Sequence, residues 1–246
     1  MSDVGTTVVV GASRGLGRGI ARAFGDAGAP VVAVARSAAA LAELAASCAN
    51  IRIEVADAAE ATAAGFLLDR WNPRTLIVVA GATPLPRPLQ RHTWETFSAN
   101  WEADVKIAFH WLREALLKPL RPGSRVIVIS SGAAVAGSPL SGGYAGAKAT
   151  QRFITGYAQD EAERAGLGIA FTAVLPKITP LTGLGLPAVR AYAARAGQSE
   201  DQYVRSMGEP LSPEMAGASL LELAGADAAE VAPGYLLTSG GLQKLP

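Results

Sequence analysis

The sequence predicts an α/β fold in which a doubly wound parallel β-sheet carries helices on both faces. Short apolar runs alternate with longer segments of helical periodicity, as in successive strand–helix units. A glycine-rich turn joins the first apolar run directly to the first helical segment. A later run, 125–130, is rich in valine and isoleucine, which is typical of a strand buried on both faces.

The predicted elements follow one another without a linker, an internal repeat or a low-complexity tail, so we expect a single domain over residues 1–246. Strands are expected at 7–10, 31–35, 51–55, 75–79, 125–130, 169–174 and 235–238. Helices are expected at 15–27, 38–47, 101–117, 144–165 and 213–224. Weak periodicity and several prolines indicate a lid or substrate-loop insertion at 177–212.

Composition excludes several classes of partner and site. The 246 residues include 22 basic and 21 acidic ones, and this balance removes the electrostatic case for binding nucleic acid or acidic membranes. Cys48 is the only cysteine, which excludes an internal disulfide and the multi-cysteine zinc sites. His92 and His110 are far apart in the sequence, so we expect no metal site.

The start of the chain bears on localisation. Residues 1–5 lead directly into an apolar strand, without the basic segment and long apolar stretch of a signal peptide. No apolar run approaches the ~20 residues that a membrane-spanning helix needs. We therefore expect a cytoplasmic protein that does not associate with membranes.

The turn at residues 11–17 has the properties of a phosphate-binding loop. Its glycines allow a tight turn and the close approach of a pyrophosphate, while the following helix offers free N–H groups and the positive end of its dipole. The expected contacts are Gly11, Ser13, Arg14, Leu16 and Gly17. The competing interpretation is that the glycines only allow a positive φ and bind nothing.

The spacing of this turn, G-x-x-x-G-x-G, resembles that of the short-chain dehydrogenase/reductase family. The resemblance implies a Rossmann-type sheet of seven parallel strands flanked by helices. It also implies that Asp57 contacts the adenine of a dinucleotide cofactor. Ala80 and Gly81 remain from the family's Asn-Asn-Ala-Gly motif and are expected beside the cofactor, whereas Val78 and Val79 replace the two asparagines.

The end of the second strand indicates which cofactor is bound. An acidic residue there would accept from both ribose hydroxyls and repel a 2′-phosphate. This chain has Ala35 at that position and Arg36 just after it, with Arg14 nearby in the glycine turn. Guanidinium groups suit phosphate oxygens, so we expect NADP(H). The alternative is that both arginines are only solvated surface residues.

Tyr144 and Lys148 are four residues apart at the start of a predicted helix and therefore share one helical face. A nearby ammonium stabilises a phenolate and makes tyrosine a usable acid–base group. A tyrosine and a lysine at this spacing would by themselves more often form a surface contact. Here, however, Ser131 ends a predicted strand at the same edge of the sheet. The family resemblance implies that Ser131, Tyr144 and Lys148 form the catalytic set, with Ser130 or Ser138 as the less favoured serine.

The expected chemistry follows from these three residues. Ser131 would hydrogen-bond the substrate oxygen as negative charge develops on it. Tyr144 would donate a proton during carbonyl reduction or accept one during alcohol oxidation. The resemblance implies that Lys148 also holds the nicotinamide ribose. We expect an NADP(H)-dependent oxidoreductase with a small carbonyl or alcohol substrate, and a homodimer or homotetramer formed through two long helices, as is common in the family.

Two more positions depart from the family pattern. Pro176-Lys177 replaces the family's Pro-Gly, which leaves Pro176, Ile178 and Thr179 as the expected nicotinamide contacts, with Thr182 as the alternative threonine. Asp104 stands where the family has an active-site asparagine that helps place a water in the proton relay to the lysine. Our hypothesis is that Asp104 is a working, catalytic member of this relay.

Other interpretations of these departures stay open. Asp104 could simply cap a helix or form a salt bridge, and Asn100, one turn earlier, could partly substitute for the missing asparagine. The chain could also be an NADP-binding regulatory or sensor protein that has lost efficient catalysis. Dehydratase or epimerase chemistry on the same scaffold is a third alternative, which no residue specifically favours.

Overall fold

One sheet forms the centre of the computed structural model, which describes residues 5–245. Its strands are β1 (Thr7–Val10), β2 (Val31–Ala35), β3 (Ile51–Val55), β4 (Thr75–Val78), β5 (Arg125–Ile129), β6 (Ala170–Pro176), β7 (Gly234–Thr238) and β8 (Gly241–Lys244). Their order across the sheet is β3-β2-β1-β4-β5-β6-β7-β8, and all neighbours are parallel except the antiparallel pair β7 and β8. Residues 1–4, which include most of the segment used to predict localisation, lie outside the described residues.

Helices connect the strands and cover both faces of the sheet. They are α1 (Gly15–Asp26), α2 (Ala38–Ala46), α3 (Ala61–Trp71), α4 (Trp94–Asn100), α5 (Lys106–Leu117), α6 (Ala133–Ala136), α7 (Tyr144–Arg164), α8 (Gly185–Arg195), α9 (Glu200–Ser206) and α10 (Pro213–Gly225). A π turn, Trp101–Val105, joins α4 to α5. Within residues 5–245 no helix combines the length and the apolar character needed to cross a bilayer.

Alternating strand side chains divide the core into two layers. Val8 and Val10 pack on the side of α3, α5 and α7, whereas Val9 packs on the side of α1, α2 and α10. Because successive strand residues point to opposite faces, a strand covered on both sides must be apolar throughout. All four residues of β1 are buried, as this requires. The two layers enclose Trp111 and Leu220 respectively, each with 0% exposure.

The predicted fold class is confirmed, and the seven predicted strands correspond to β1 through β7. The structure adds β8, which pairs with β7 through a tight hairpin. Gly241 opens β8 with φ +94°, a backbone conformation that favours glycine. β8 has only four residues, of which two are polar and exposed. A pattern this short does not predict a strand.

Hydrophobic periodicity does not predict α3, α4, α6, α8 or α9. Three of these, α4, α6 and α9, have seven residues or fewer, which is too short for a periodic pattern to emerge. The predicted helix at 101–117 is in fact a π turn followed by α5. The predicted insertion at 177–212 contains α8 and α9, so it is largely helical rather than irregular.

The strand order places the candidate site at the carboxyl edge of the sheet. The chain winds outward from β1 to β3 and then returns to place β4 on the other side of β1. Open α/β sheets bind ligands in the crevice outside such a switch point. The glycine turn after β1, residues 80–82 after β4 and the serines after β5 all lie at this edge.

Candidate active site

The glycine turn after β1 allows close backbone approach. Gly11 has φ +95°, and a Cβ there would lie 2.6 Å from the backbone nitrogen of Ala80. A side chain at Gly17 would collide with the carbonyl of Gly11. α1 begins at Gly15 without a side-chain cap from Arg14, and the first N–H groups of a helix have no intrahelical acceptor. The turn therefore offers both the room and the donors that a pyrophosphate needs.

Two of the predicted cofactor residues, Arg36 and Asp57, lie close together just after β2 and β3. The side chain of Arg36 is 77% exposed, and its Nη1 lies 4.0 Å from Asp57 Oδ2. Asp57 also accepts a hydrogen bond from the backbone N–H of Ala59 at 3.0 Å. Arg14 is exposed as well. Exposed ion pairs contribute little to stability, so the Arg36 guanidinium can exchange the carboxylate for a stronger anion.

Tyr144 and Lys148 lie on the buried face of α7. Lys148 Nζ is 5.6 Å from the centroid of the Tyr144 ring. Tyr144 is 9% exposed, and within residues 5–245 no hydrogen bond engages its hydroxyl. The Tyr144 hydroxyl is therefore free to form hydrogen bonds with a ligand at the sheet edge.

Three acceptors surround the Lys148 ammonium. Nζ donates to the carbonyl oxygen of Ile129 at 3.2 Å and to Gln151 Oε1 at 2.9 Å. Asp104 Oδ2 lies 3.3 Å from Nζ, close enough for an ion pair but without the alignment of a hydrogen bond. Two of the three N–H donors are thus committed within the protein, and the third can serve a ligand.

Asp104 lies in the π turn and is completely buried. Its Oδ1 accepts from the backbone N–H of Ala82 at 2.7 Å and from Asn100 Nδ2 at 3.4 Å. A Cβ at Gly81 would lie 2.7 Å from the same oxygen, so glycine at that position makes room for the carboxylate. π turns within helices are frequent at functional sites. The salt bridge was one of the roles that the sequence left open for Asp104.

Gln151 completes this cluster and is a residue that sequence reasoning missed. Its Nε2 donates to the carbonyl oxygen of Asp104 at 2.7 Å, while its Oε1 accepts from Lys148. The side chain therefore links α7 to the π turn and is 1% exposed. The available signal was its spacing, because residues three apart on a helix share a face.

The structure distinguishes the three candidate serines. Ser130 is buried and donates to the carbonyl oxygen of Lys148 at 2.7 Å, which commits its hydroxyl proton. Ser138 Oγ lies 2.6 Å from the Tyr192 hydroxyl. Ser131 Oγ accepts from the backbone N–H of Ala133 at 3.2 Å and keeps its own proton. Of the two serines that follow β5, Ser131 is thus the one whose hydroxyl proton has no acceptor within residues 5–245.

The two candidate threonines after β6 have different surroundings. Thr179 is 4% exposed, and its Oγ1 accepts from the backbone N–H of Leu181 at 3.2 Å. Thr182 packs against the glycine turn, since a Cβ at Gly15 would lie 3.6 Å from its side chain. Thr182 thus lies beside the glycine turn. Thr179 is buried and is hydrogen-bonded within its own segment.

Pro176 and Ile178 border the junction between the sheet edge and the insertion. The Pro176 carbonyl accepts from the backbone N–H of Gly132 at 2.9 Å. Ile178 lines a pocket of about 90 Å³ together with residues from the end of β7 and from the segment before α10. Its walls are Lys177, Ile178, Met207, Glu209, Pro210, Leu211, Thr238 and Ser239. Neither Tyr144 nor Lys148 lines this pocket.

The Tyr192 hydroxyl links the insertion at 177–212 to the segment that precedes Tyr144. The Tyr192 hydroxyl lies 2.6 Å from Ser138 Oγ and accepts from the backbone N–H of Leu140 at 3.4 Å. Ser138 and Leu140 belong to the loop between α6 and α7. The position of α8 is therefore coupled to the loop that leads into the start of α7.

Comparisons with known proteins are consistent with this geometry. A family model described as short chain dehydrogenase matches residues 5–190. A similar solved structure is that of a tryptophan variant of actinorhodin polyketide ketoreductase with NADPH, with a TM-score of 0.83 and 20% identity over 98% of each chain. At that identity the likeness establishes the fold alone. No curated protein has a significant match to the sequence.

Proposed function

This chain belongs to the short-chain dehydrogenase family, and on that premise we propose that it is an NADP(H)-dependent carbonyl reductase. It would transfer a hydride between NADPH and a ketone or aldehyde, or between the corresponding alcohol and NADP⁺. The observation that carries the proposal is the Tyr144–Lys148 pair on the buried face of α7, at the same sheet edge as the glycine turn.

The residues around the crevice fit this cofactor. The free N–H groups at the start of α1 suit a pyrophosphate, and the close Gly11–Ala80 approach leaves room for it. Arg36 and Arg14 would hold the 2′-phosphate, because no acidic residue ends β2. The other proposed cofactor contacts are Ser13, Leu16, Gly17, Asp57, Ala80, Gly81, Tyr144, Lys148, Pro176, Ile178 and Thr179, with Thr182 as the alternative threonine.

The bound cofactor would supply the hydride. Tyr144 would donate its phenolic proton to the carbonyl oxygen, and Ser131 would hydrogen-bond that oxygen as negative charge develops on it. Lys148 would use its remaining N–H donor for the nicotinamide ribose, while Ile129 and Gln151 hold the ammonium in place. In alcohol oxidation Tyr144 would accept the proton instead.

The test is NADPH consumption with a panel of ketones and aldehydes. We expect turnover with NADPH, less with NADH, and a rate at least ~100-fold lower in Tyr144→Phe, because the proton donor is gone. Tyr157→Phe is the matched control, since Tyr157 lies on the same helix but is 60% exposed, and it should keep full activity. Unchanged turnover in Tyr144→Phe would refute the assigned role.

A second candidate is an NADP-binding regulatory protein with impaired catalysis. The commitment of Lys148 to Ile129 and Gln151, with Asp104 beside it, is the observation that favours this reading. The same assay separates the two functions. Tight NADPH binding without turnover of any carbonyl compound would support the regulatory protein and exclude the reductase.

A further inference from the structure

We propose that Asp104 is the counter-charge of Lys148 and thereby weakens the support that the ammonium gives to a phenolate at Tyr144. The inference rests on the proposed function and adds a positioning residue to it. Asp104 is a positioning residue in this account, because it acts through Lys148 and not on the substrate itself.

The ion pair between these two residues is shielded from solvent. The Lys148 and Asp104 side chains are 6% and 0% exposed, and Nζ lies 3.3 Å from Oδ2. Buried charges are screened by salt much less than surface charges. The carboxylate therefore offsets the ammonium strongly, and the offset persists at physiological ionic strength.

Within residues 5–245, the polar groups in contact with the Asp104 carboxylate are donors. Oδ1 receives the backbone N–H of Ala82 and the side-chain amide of Asn100, and Oδ2 faces Lys148. Hydrogen bonds to the charged form of a carboxyl group favour that form. Three donor groups thus converge on the Asp104 carboxylate.

The ammonium is also held beside the carboxylate. Its hydrogen bonds to Ile129 and Gln151 fix the end of the side chain, and Gln151 in turn donates to the Asp104 carbonyl. Nζ lies 3.3 Å from the carboxylate but 5.6 Å from the centroid of the Tyr144 ring. A phenolate at Tyr144 would therefore face a nearly neutral pair instead of a lone cation.

Proton transfer in the proposed reaction would leave a phenolate at Tyr144. When bound, NADPH would supply the hydride; Tyr144 would give its proton to the carbonyl oxygen, and a proton from solvent would then restore the phenol. Alcohol oxidation would pass through the same phenolate in reverse. Because Asp104 weakens the support for this phenolate, it would tune the proton transfer at Tyr144 in both directions.

Other titratable groups around Tyr144 contribute less. His92 packs against Gly142, with its ring nitrogens 3.2 Å from Thr96 Oγ1 and from the Arg87 carbonyl. Other charged or titratable groups on the elements packed around the site include Tyr192 on α8, Lys177 after β6, Lys106 and His110 on α5, Glu102 in the π turn and Arg152 on α7. Glu102 and Lys106 are exposed and screened by water, which leaves Asp104 as the buried carboxylate beside Lys148.

The test titrates tyrosinate absorbance in the cofactor-free protein. The chain has five tyrosines, so the Tyr144 contribution is obtained by subtracting the titration of Tyr144→Phe in each background. We expect the Tyr144 contribution to move to lower pH by about one pH unit in Asp104→Asn, because the ammonium then loses its counter-charge. A Tyr144 titration that is unchanged, or that moves to higher pH, overturns the proposal.

Control variants distinguish an effect of the Asp104 charge from an effect on folding, and the test itself does not depend on the proposed function. Asp26→Asn removes an exposed carboxylate on α1 and should leave the Tyr144 titration unchanged. Asp104→Ser, which keeps an oxygen on the side chain, replaces Asp104→Asn if the latter fails to fold, and should shift the titration in the same direction. Since no substrate is present, the outcome holds whether or not any carbonyl compound is turned over.

Discussion

Cofactor choice depends on single residues at the end of β2. Arg36 is 77% exposed, and its contact with Asp57 Oδ2 spans 4.0 Å, which is long for an ion pair. A phosphate offers more negative charge and more acceptor oxygens than this carboxylate. The guanidinium is therefore in a position to leave Asp57 for the 2′-phosphate of NADP(H).

Arg36→Ala tests this selectivity. We expect KM for NADPH to rise about tenfold or more, since a charge-assisted hydrogen bond contributes about 1.5–3 kcal/mol, while KM for NADH changes little. Arg22→Ala is the control, because Arg22 is an exposed arginine on α1 that pairs with Asp26. An equal rise in KM for NADPH and NADH would show that Arg36 does not recognise the 2′-phosphate.

Residue spacing predicts part of the candidate site. Tyr144 and Lys148 share a face because they are one helical turn apart, and that relation is local. The contacts of Asp104 with Ala82 and Gln151 join the π turn to the end of β4 and to α7, so they depend on tertiary packing. No pattern within one element could foretell them.

At the scale of elements, the insertion is coupled to the catalytic helix. α8 reaches the loop between α6 and α7 through the Tyr192 hydroxyl, which contacts Ser138 Oγ and the Leu140 N–H. The same loop ends at Tyr144, where α7 begins. We propose that this contact holds the insertion closed over the substrate side of the crevice.

Tyr192→Phe should loosen α8 without disturbing the sheet. Loss of a hydrogen bond of about 0.5–1.5 kcal/mol predicts roughly threefold to tenfold faster amide exchange in residues 185–195, with a larger change in substrate KM than in kcat. Tyr203→Phe, on α9 of the same insertion, is the control. If hydrogen–deuterium exchange in α8 is the same in both variants, the hydroxyl does not hold the insertion.

The elements themselves were predictable where they are long or uniformly apolar. β1, β2 and β3 have the predicted bounds: β1 and β2 are buried apolar runs, and β3 alternates apolar with polar residues. The π turn was not predictable, since it continues a helical pattern and differs only in its hydrogen bonding. The helices of the insertion lacked a strong apolar stripe, so their proline content dominated the prediction.

At the scale of the whole molecule, α5 and α7 expose large apolar side chains. Phe109 is 52% exposed, Phe153 61% and Tyr157 60%. The two helices pack side by side over the same layer of the core. Contiguous apolar patches on a protein surface commonly mark protein–protein contacts, so we propose that this face joins two copies in a homodimer or homotetramer.

Phe153→Glu should dissociate such an oligomer, because it places a charge at the centre of the proposed apolar contact. Light scattering after gel filtration would show the mass falling to that of one 25.2 kDa chain. Val55→Glu is the control: Val55 is 55% exposed but lies on β3, at the far edge of the sheet. A monomeric unmodified protein, or a Phe153→Glu variant that keeps its oligomeric mass, would contradict the proposed interface.

The most direct test of the account follows the hydride itself. NADPH carrying two deuterium atoms at C4 is incubated with a ketone that the protein reduces, and the alcohol is analysed by mass spectrometry. We expect one deuterium in each molecule of alcohol, formed at least ~100-fold more slowly by Tyr144→Phe. Alcohol without deuterium, or equal rates in the two proteins, would contradict hydride transfer from NADPH with Tyr144 as the proton donor.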